Sequence, residues 1–435
     1  MILKMLLKMR QNIWVIPSIY SVVSVILAFI TIYIDSSVDV ERNSLITKLL
    51  FTEIDLAQTI LVSIAPSLLT MTTFTFSIIM VVLTTYSSQY SPRTLPTFMT
   101  DRITMRILVF FMGSFIYSVI TLLFMKNSIS EPYVVSATIC IMLAIICLAF
   151  FAFFIHHVGT FIQVSKLVER LTSEGLEVLD ELDEMESHKR MRIEDYTFAQ
   201  SHCNGNTIIT NKHGYLQLID HEGLTECAEK NQLKIDILCQ TGDFLTQDQP
   251  VMMVFSDKEV INDELKEYLL SYMTFGRERS VFQDIGFSTQ KLVEIALRAI
   301  SPGINDPNTA NQCILNIGRV LAKAGEKKDG YMVFFDSENE PRLTVPKHAF
   351  KEVVYHTFYQ IRHYGKEDIS VILTIYDALT ITARYALAEN KKIVWDFEKY
   401  VEQGIQKEVL QQLDLEYIAK RKHELAKLTG NAHKK

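Results

Sequence analysis

Four long apolar stretches occupy the first third of the chain: Ile13 to Ile34, Ile54 to Thr85, Ile103 to Phe124 and Tyr133 to Ile155. A bilayer core about 30 Å thick needs roughly 20 apolar helical residues, so each stretch is long enough to cross one. The first carries no charged residue, exceeds a signal-peptide core in length and has no small-residue cleavage site after it, which predicts a retained transmembrane helix. The short linker Met125 to Pro132 predicts that the third and fourth helices form an antiparallel hairpin. The second stretch differs in holding Thr59, Ser63, Ser67, Thr70, Thr72, Thr73, Thr75, Ser77, Thr84 and Thr85. Such hydroxyls bond to carbonyls of their own helix or let helices pack closely. The alternative is a hydrated path in an oligomer, because hydroxyls border a pore without the cost of buried charge. Thr70, Thr73 and Ser77 are the candidate pore-lining residues on that reading, and Pro66 predicts a kink or a locally freed carbonyl that neighbouring hydroxyls satisfy.

Past His156-His157 the periodicity changes. Phe161, Val164, Leu167, Val168, Leu171, Leu176, Leu179 and Leu182 recur at spacings of three and four, which predicts an amphipathic helical connector over 159–200. Thr207 to Ile209, Tyr215 to Ile219, Lys234 to Leu238 and Val251 to Phe255 read as short strands broken by Gly214, Gly223 and Thr241-Gly242-Asp243, with a brief helix from Leu224 to Asn231. A small β-barrel or sandwich over 201–256 is expected. Its rhythm looks like the swapped-hairpin barrels of biotinyl and lipoyl carriers, but the hairpin-tip lysine of a carrier is missing. From 257 to 429 helices are expected at Glu259 to Phe275, Thr289 to Ile300, Ala349 to Tyr364, Ile369 to Ala388 and Trp395 to Lys427, with two strands at Tyr331 to Phe335 and Arg342 to Val345. The polar tail 430–435 is expected to be disordered. The fold class is therefore a four-helix transmembrane domain over 1–158, followed by a cytosolic α+β part with a small β-barrel and a mostly helical domain.

Charge narrows the function. With 43 Lys and Arg against 50 Asp and Glu the net charge is -7 and no local basic patch stands out, which excludes nucleic acid as a partner. The apolar first third excludes a simple soluble enzyme, a secreted protein and a disordered chain. Lys4, Lys8, Arg10, Arg93, Arg102, Lys166 and Arg170 flank one side of the four spans. On the other side Arg42 and Lys48 are diluted by Asp35, Asp39, Glu41 and Glu53, and Lys126 stands alone. The Lys/Arg bias predicts both termini in the cytoplasm. Cys140 and Cys147 lie in an apolar run, while Cys203, Cys227, Cys239 and Cys313 have no C-x-x-C spacing, so neither a disulfide framework nor a zinc ribbon is expected. His202, Cys203, His213, His221 and Cys227 match no zinc pattern, and no metal or cofactor is expected. Tyr90 and Arg93, after the second span, suit the interface with lipid phosphate.

The densest polar motif is Ala299-Ile300-Ser301-Pro302-Gly303-Ile304-Asn305-Asp306-Pro307-Asn308-Thr309-Ala310. Pro302-Gly303 ends one helix, Asn305 or Asp306 caps the next, and Pro307 takes its first position. That corner accounts for every residue type structurally. A functional reading notes that Ser301, Asn305, Asp306, Asn308, Thr309 and Asn311 crowd a helix N-terminus, which favours an anion. Arg277, Arg279 and Asp284 lie one helix upstream and are expected to fold back beside it as further ligand-binding residues. No catalytic arrangement of paired acids, phosphate loop or Ser/His/Asp order is present.

That motif, with Gln283-Asp284 upstream, resembles the hallmark of the bacterial membrane family called domain of unknown function 2254. The likeness extends to Ser88-Gln89-Tyr90-Ser91-Pro92-Arg93, Phe154-Ile155-His156-His157, His213-Gly214-Tyr215-Leu216-Gln217 and Gly242-Asp243-Phe244. The resemblance implies an integral membrane protein without an assigned activity, and it brings no catalytic residues. The expected setting is the bacterial inner membrane, with the lipid bilayer, further copies of the chain and a small anionic ligand as partners. An oligomeric ion or solute conduit regulated by the cytosolic part leads; a non-conducting sensor or scaffold is the alternative, and a membrane-bound hydrolase ranks third.

Overall fold

The computed structural model describes residues 15–37, 51–90, 93, 101–125, 133–187, 190–200, 205–256 and 261–431. The basic N-terminal Lys4, Lys8 and Arg10, the Ser91-Pro92 turn, Pro96, His202, Cys203 and tail residues 432–435 lie outside them. The chain divides into two compact units, 1–163 and 164–435.

Among the described residues the first unit holds four helices long and apolar enough to cross a membrane: α1 (Val15–Ser37), α2 (Ile54–Gln89), α3 (Arg102–Phe124) and α4 (Ser136–Phe161). Helix α3 sits at the centre and packs on the other three. Small side chains permit this. A Cβ on Gly113 would come within 2.5 Å of the Ser24 hydroxyl on α1. Across the α3–α4 seam Ser118 Oγ lies 3.1 Å from Cys140 Sγ, and Cys147 Sγ donates to Ser114 Oγ at 3.4 Å. Without a hydrophobic driving force between helices in lipid, such close polar seams supply the cohesion. A two-residue pair, β1 (Thr52–Glu53) with β2 (Tyr133–Val134), holds the starts of α2 and α4 together. The end of α1 adds to it, since the Val135 amide donates to Asp35 Oδ1 at 2.7 Å. Helix α2 runs unbroken through Pro66 for 36 residues, about 54 Å at 1.5 Å per residue, well beyond a bilayer core of roughly 30 Å.

The second unit begins with α5 (Val164–Ser187), whose Leu167, Val168, Leu171 and Leu179 are buried as the three-four spacing predicts. Its strands are β3 (Met191–Glu194), β4 (Asn206–Ile209), β5 (Gly214–Ile219), β6 (Lys234–Ile237), β7 (Phe244–Leu245), β8 (Pro250–Phe255), β9 (Met273–Gly276), β10 (Tyr331–Phe335) and β11 (Pro341–Pro346). Helices α6 (His221–Asn231) and α7 (Asp263–Leu270) lie between them. The remaining helices are α8 (Ile285–Ala299), α9 (Pro307–Ala324), α10 (Phe350–Tyr364), α11 (Ile369–Tyr385), α12 (Ala388–Gln403) and α13 (Gln412–Leu428).

The expected small barrel over 201–256 is not formed. Among the described residues the strands make two open sheets, one of six in the order β3-β10-β11-β6-β8-β4 and one of three in the order β7-β5-β9. The barrel fails because its strands take partners from far along the chain. Strand β6 pairs in parallel with β11, and β5 pairs with β9, which lies in a segment read from sequence as the end of a helix. Glycine fits the β5–β9 edge for a physical reason: Gly214 has φ +138°, and a Cβ there would meet the Gly276 carbonyl oxygen at 2.6 Å. Side chains from both sheets, among them Met191, Leu216, Ile235, Met252, Met273 and Leu343, share one core. The long helix expected from Trp395 to Lys427 is two, because Gly404 ends α12 and a Gln411–Asp414 capping box starts α13.

Candidate functional site

Helix α2 has two unlike faces. Ile54, Ala57, Leu61, Ala65, Leu68, Ile79, Val82 and Tyr86 are buried against the bundle. Opposite them, at steps of three and four, Asp55, Thr59, Ser63, Pro66, Thr70, Thr73, Ser77, Val81, Thr84 and Ser88 are all exposed. Thr70 Oγ1 donates to Pro66 O at 2.9 Å, Thr73 Oγ1 to Leu69 O at 2.9 Å and Ser77 Oγ to Thr73 O at 3.0 Å. Thr59, Ser63 and Thr84 do the same four residues back. Each hydroxyl proton is therefore spent inside the helix while the oxygen keeps a free lone pair. The face is a column of acceptors, which suits water and cations.

At the far end of the bundle α2 and α4 are tied by two tyrosines. Tyr86 Oη donates to Phe161 O at 2.7 Å, and Tyr90 Oη donates to Ile162 O at 3.3 Å. Tyr90 is thus turned into the bundle instead of outward as a lipid anchor would be, whereas Arg93 is exposed. Beside this tie His157 Nε2 lies 2.9 Å from Asp101 Oδ2, and Asp101 also caps α3 through the Thr104 amide. His156 points away and is exposed.

In the second unit Arg279 and Asp284 meet as a two-pronged pair, Nε to Oδ2 at 2.9 Å and Nη2 to Oδ1 at 2.8 Å. Nη1 of Arg279 donates to Gln290 Oε1 at 2.9 Å, which closes the guanidinium fork. Asp284 also caps α8 by accepting from the Phe287 amide. Burial pushes the Asp284 carboxyl above the usual carboxylate range, and the Arg279 charge opposes that shift. The turn before β7 presses on the pair: Gly242 has φ +95°, and a Cβ there would lie 2.4 Å from Asp284 Oδ2. Next to it the Gln283 side chain pairs with the backbone of β5 through both Ile219 N and Ile219 O, each at 3.0 Å. Arg277 is exposed and stands outside this cluster.

The Ser301–Asn311 corner lies at the other end of α8, about 22 Å away along a helix of 15 residues. The expected fold-back of Arg277, Arg279 and Asp284 beside it does not occur, because the unbroken 15-residue helix α8 separates them from the corner. Ser301 Oγ donates to Arg298 O at 2.6 Å, and the Asn305 amide to Ser301 O at 2.9 Å. Asp306 caps α9 with both oxygens, accepting from Thr309 N at 3.2 Å and Thr309 Oγ1 at 2.5 Å. Asn305 takes φ +53° and, like Asn308, is exposed. Ser301, Asp306 and Thr309 thus hold the turn and the start of α9, while Asn311 Oδ1 is buried without a hydrogen-bond partner.

The family model for a predicted membrane protein, DUF2254, matches residues 10–380. The chain belongs to that family. Relatives include the uncharacterized protein Rv1290c of Mycobacterium tuberculosis and the uncharacterized protein Mb1321c of Mycobacterium bovis, each 25% identical over 370 residues, covering 82% of this chain and 70% of theirs. No solved structure matches.

The motifs that carry the family resemblance lie in three places, one of them the corner between α8 and α9. Tyr90 of the first motif meets the end of α4 just past His157 of the second. Gln217, Gly242, Gln283 and Asp284 gather around the start of α8, where Gln217 Nε2 also donates to Glu278 O at 2.7 Å. Sequence reasoning missed Asp101, Tyr86 and Gln290. Asp101 alone left a signal, as an Asp immediately before an apolar helix.

Proposed function

We propose that this family member assembles as a homo-oligomer in the bacterial inner membrane, both termini cytoplasmic, and conducts cations along the outward face of α2. The observation that carries this reading is the exposed strip of six hydroxyls on α2, Thr59, Ser63, Thr70, Thr73, Ser77 and Thr84, each donating within its own helix so that a lone pair remains to accept. Lipid tails offer such a strip nothing, whereas water and partly dehydrated cations are bound by neutral oxygens. Thr70, Thr73 and Ser77 lie near the middle of the span, and the exposed Asp55 adds a carboxylate at one end. The second unit is then the regulatory part.

A second reading, a non-conducting sensor or scaffold, is favoured by the same hydrogen bonds, since hydroxyls satisfied within their helix also pack against a neighbour. Cation flux into liposomes reconstituted with the full chain separates the two. Conduction predicts flux that the Thr73→Leu, Ser77→Leu pair reduces at least tenfold with assembly intact. Well-folded oligomers without flux, or flux indifferent to the pair, would sink conduction and leave the sensor.

A further inference from the structure

The corner between α8 and α9 lies at one particular end of the second unit, and its partners on α5 show which. Helix α9 runs parallel to α5: Ser165 Oγ donates to Gln312 Oε1 at 3.3 Å and Arg319 Nη1 to Glu169 Oε2 at 3.0 Å, and further along Lys323 reaches Asp183 at 3.3 Å and Lys327 reaches Glu186 at 2.6 Å. Helix α8 runs the opposite way, with Lys291 Nζ 3.0 Å from Glu174 Oε2 and a Cβ on Gly175 3.3 Å from Ser288 Cβ. Arg298, seven residues past Lys291, is thereby carried about 10 Å back towards the first turn of α5. The corner therefore projects past the start of α5, with Asn308 about 6 Å beyond the level of Gln312 and Ser165.

The start of α5 is tethered at the bilayer by chain length alone, since only Ile162 and Gln163 separate it from the last residue of α4. Helix α5 itself is too densely charged to enter hydrocarbon, with Glu174, Glu177, Asp180, Glu181, Asp183 and Glu184 within about three turns. It must lead along the membrane surface or away from it. Whatever projects past its start is then level with that surface or directed at it.

The corner is built for such a place. Pro302, Gly303, Ile304 and Asn305 are exposed, Ile304 at 41%. The Ile304 and Asn305 amides donate to Ser301 O, and the Asp306 amide to Ala299 O at 2.8 Å, which fixes the tip. Exposed Lys166, next to Ser165, and exposed Arg298, three residues before Ser301, flank it. The carboxylates nearby are engaged: Asp306 caps α9, and Glu169, the first acid of α5, pairs with Arg319. An apolar tip flanked by cations fits the headgroup layer of anionic lipid, where the tip leaves water and the cations meet phosphate.

We propose that the Ser301–Asn305 tip contacts anionic lipid of the chain's own bilayer, Pro302 and Ile304 entering the headgroup layer and Lys166 and Arg298 meeting lipid phosphate. The contact rests on the four spans lying in a bilayer and is independent of conduction along α2. It also gives the family motif a task that capping leaves open: Asp306, Pro307 and Thr309 serve the start of α9, whereas the exposed Ile304 does not.

The test uses the full chain in nanodiscs, with Cys203→Ser and one introduced cysteine carrying an environment-sensitive fluorophore, read by quenching with headgroup-nitroxide lipid. Ile304→Cys is the reporter. Gly303→Cys, where a Cβ meets nothing within 4 Å, is the second reporter should the first disturb the corner. Glu338→Cys is the reference, on the β10–β11 turn where Asn339 accepts from Arg192, beyond the far end of α5. Leu148→Cys, 57% exposed on α4, is read with acyl-chain nitroxide and reports whether the spans lie in lipid. In phosphatidylglycerol-rich bilayers quenching at Ile304 is expected to exceed that at Glu338 at least about threefold, and to fall at least about twofold in pure phosphatidylcholine, since each cation near an anionic surface adds roughly fivefold in affinity. Lys166→Gln with Arg298→Gln should remove the dependence on lipid charge and leave Leu148 unchanged. Quenching at Ile304 no stronger than at Glu338, with Leu148 quenched, overturns the proposal; a blue-shifted Ile304 label in that case marks a protein neighbour instead. Indifference to lipid charge, or to the double variant, overturns it too. An unquenched Leu148 would refute the spans themselves and the contact with them.

Discussion

Replacing Arg279 with Met leaves the Asp284 carboxylate, whose side chain is 1% exposed, without its cation. Removing one member of a buried ion pair costs about 3–5 kcal/mol. The Arg279 side chain is 24% exposed, so water reaches part of the vacated space and the lower end applies, about 3 kcal/mol. At roughly 2 °C per kcal/mol for a unit of this size, the melting midpoint falls by about 6 °C. Adding Asp284→Asn removes the stranded charge and keeps the α8 cap, since Asn caps as well as Asp. The double variant is therefore expected within about 1 kcal/mol of the parent, more stable than Arg279→Met alone. The pH dependence has a definite sign. Burial already raises the Asp284 pKa, and loss of Arg279 raises it further, so the folded state binds the proton more readily than the unfolded state. The deficit of Arg279→Met should then shrink as pH falls from 8 to 5. The assay is thermal unfolding of the full chain in nanodiscs, with hydrogen exchange of the amides of residues 285–299 as the local readout. A single variant within 2 °C of the parent at pH 8, or a double variant no better than the single, would refute the reasoning.

Two further outcomes follow from burial. Gly318→Ala should cost about 1–3 kcal/mol by overpacking, because its Cβ would sit 2.9 Å from the Ala378 Cα where α9 crosses α11; an unchanged midpoint would mean the two helices separate freely. His221 is held near pKa 4 against an ordinary 6.5, so the unfolded chain takes the proton first and stability is lost as pH falls from about 6.5 towards 4, by up to about 3 kcal/mol. His221→Phe should flatten that part of the pH profile, and an identical slope in both proteins would show that other groups set it.

The membrane half was legible because a span must be apolar for its whole length, so Ile54 to Thr85 or Ile103 to Phe124 declares itself by composition alone. The Asp306 cap and Pro307 were legible for a similar reason, since capping is local chemistry. Pairing of β6 with β11 was not, because nothing near Ile235 says that its partner is Leu343. The same holds for β9, whose Met273 to Gly276 reads as the tail of α7 until β5 is set beside it. For the sites, the hydroxyls of α2 were countable in sequence, but their common exposed face depends on which side α3 and α4 cover. Arg279 and Asp284 were singled out in sequence as partners of the Ser301 corner, but their pairing with each other and their distance from Ser301 depend on the turn before α8 and on the length of α8. His221 offered no sequence signal, since its burial against Phe334 depends on how α6 packs on the sheet.

Strand β3 waits for its partner. Met191 pairs with Phe334, about 140 residues later, and a ribosome adding roughly 5–20 residues per second needs about 7–28 s to make them. During that interval the four spans are already complete and hold the nascent chain at the membrane, with a bare strand edge displayed beside other chains being made on the same message. Were a second copy being made alongside, its β10 would fit β3 as well as the chain's own does. Exchange of that strand between copies is a hazard written into the order of the sheet, and slow translation between residues 195 and 330 would enlarge it.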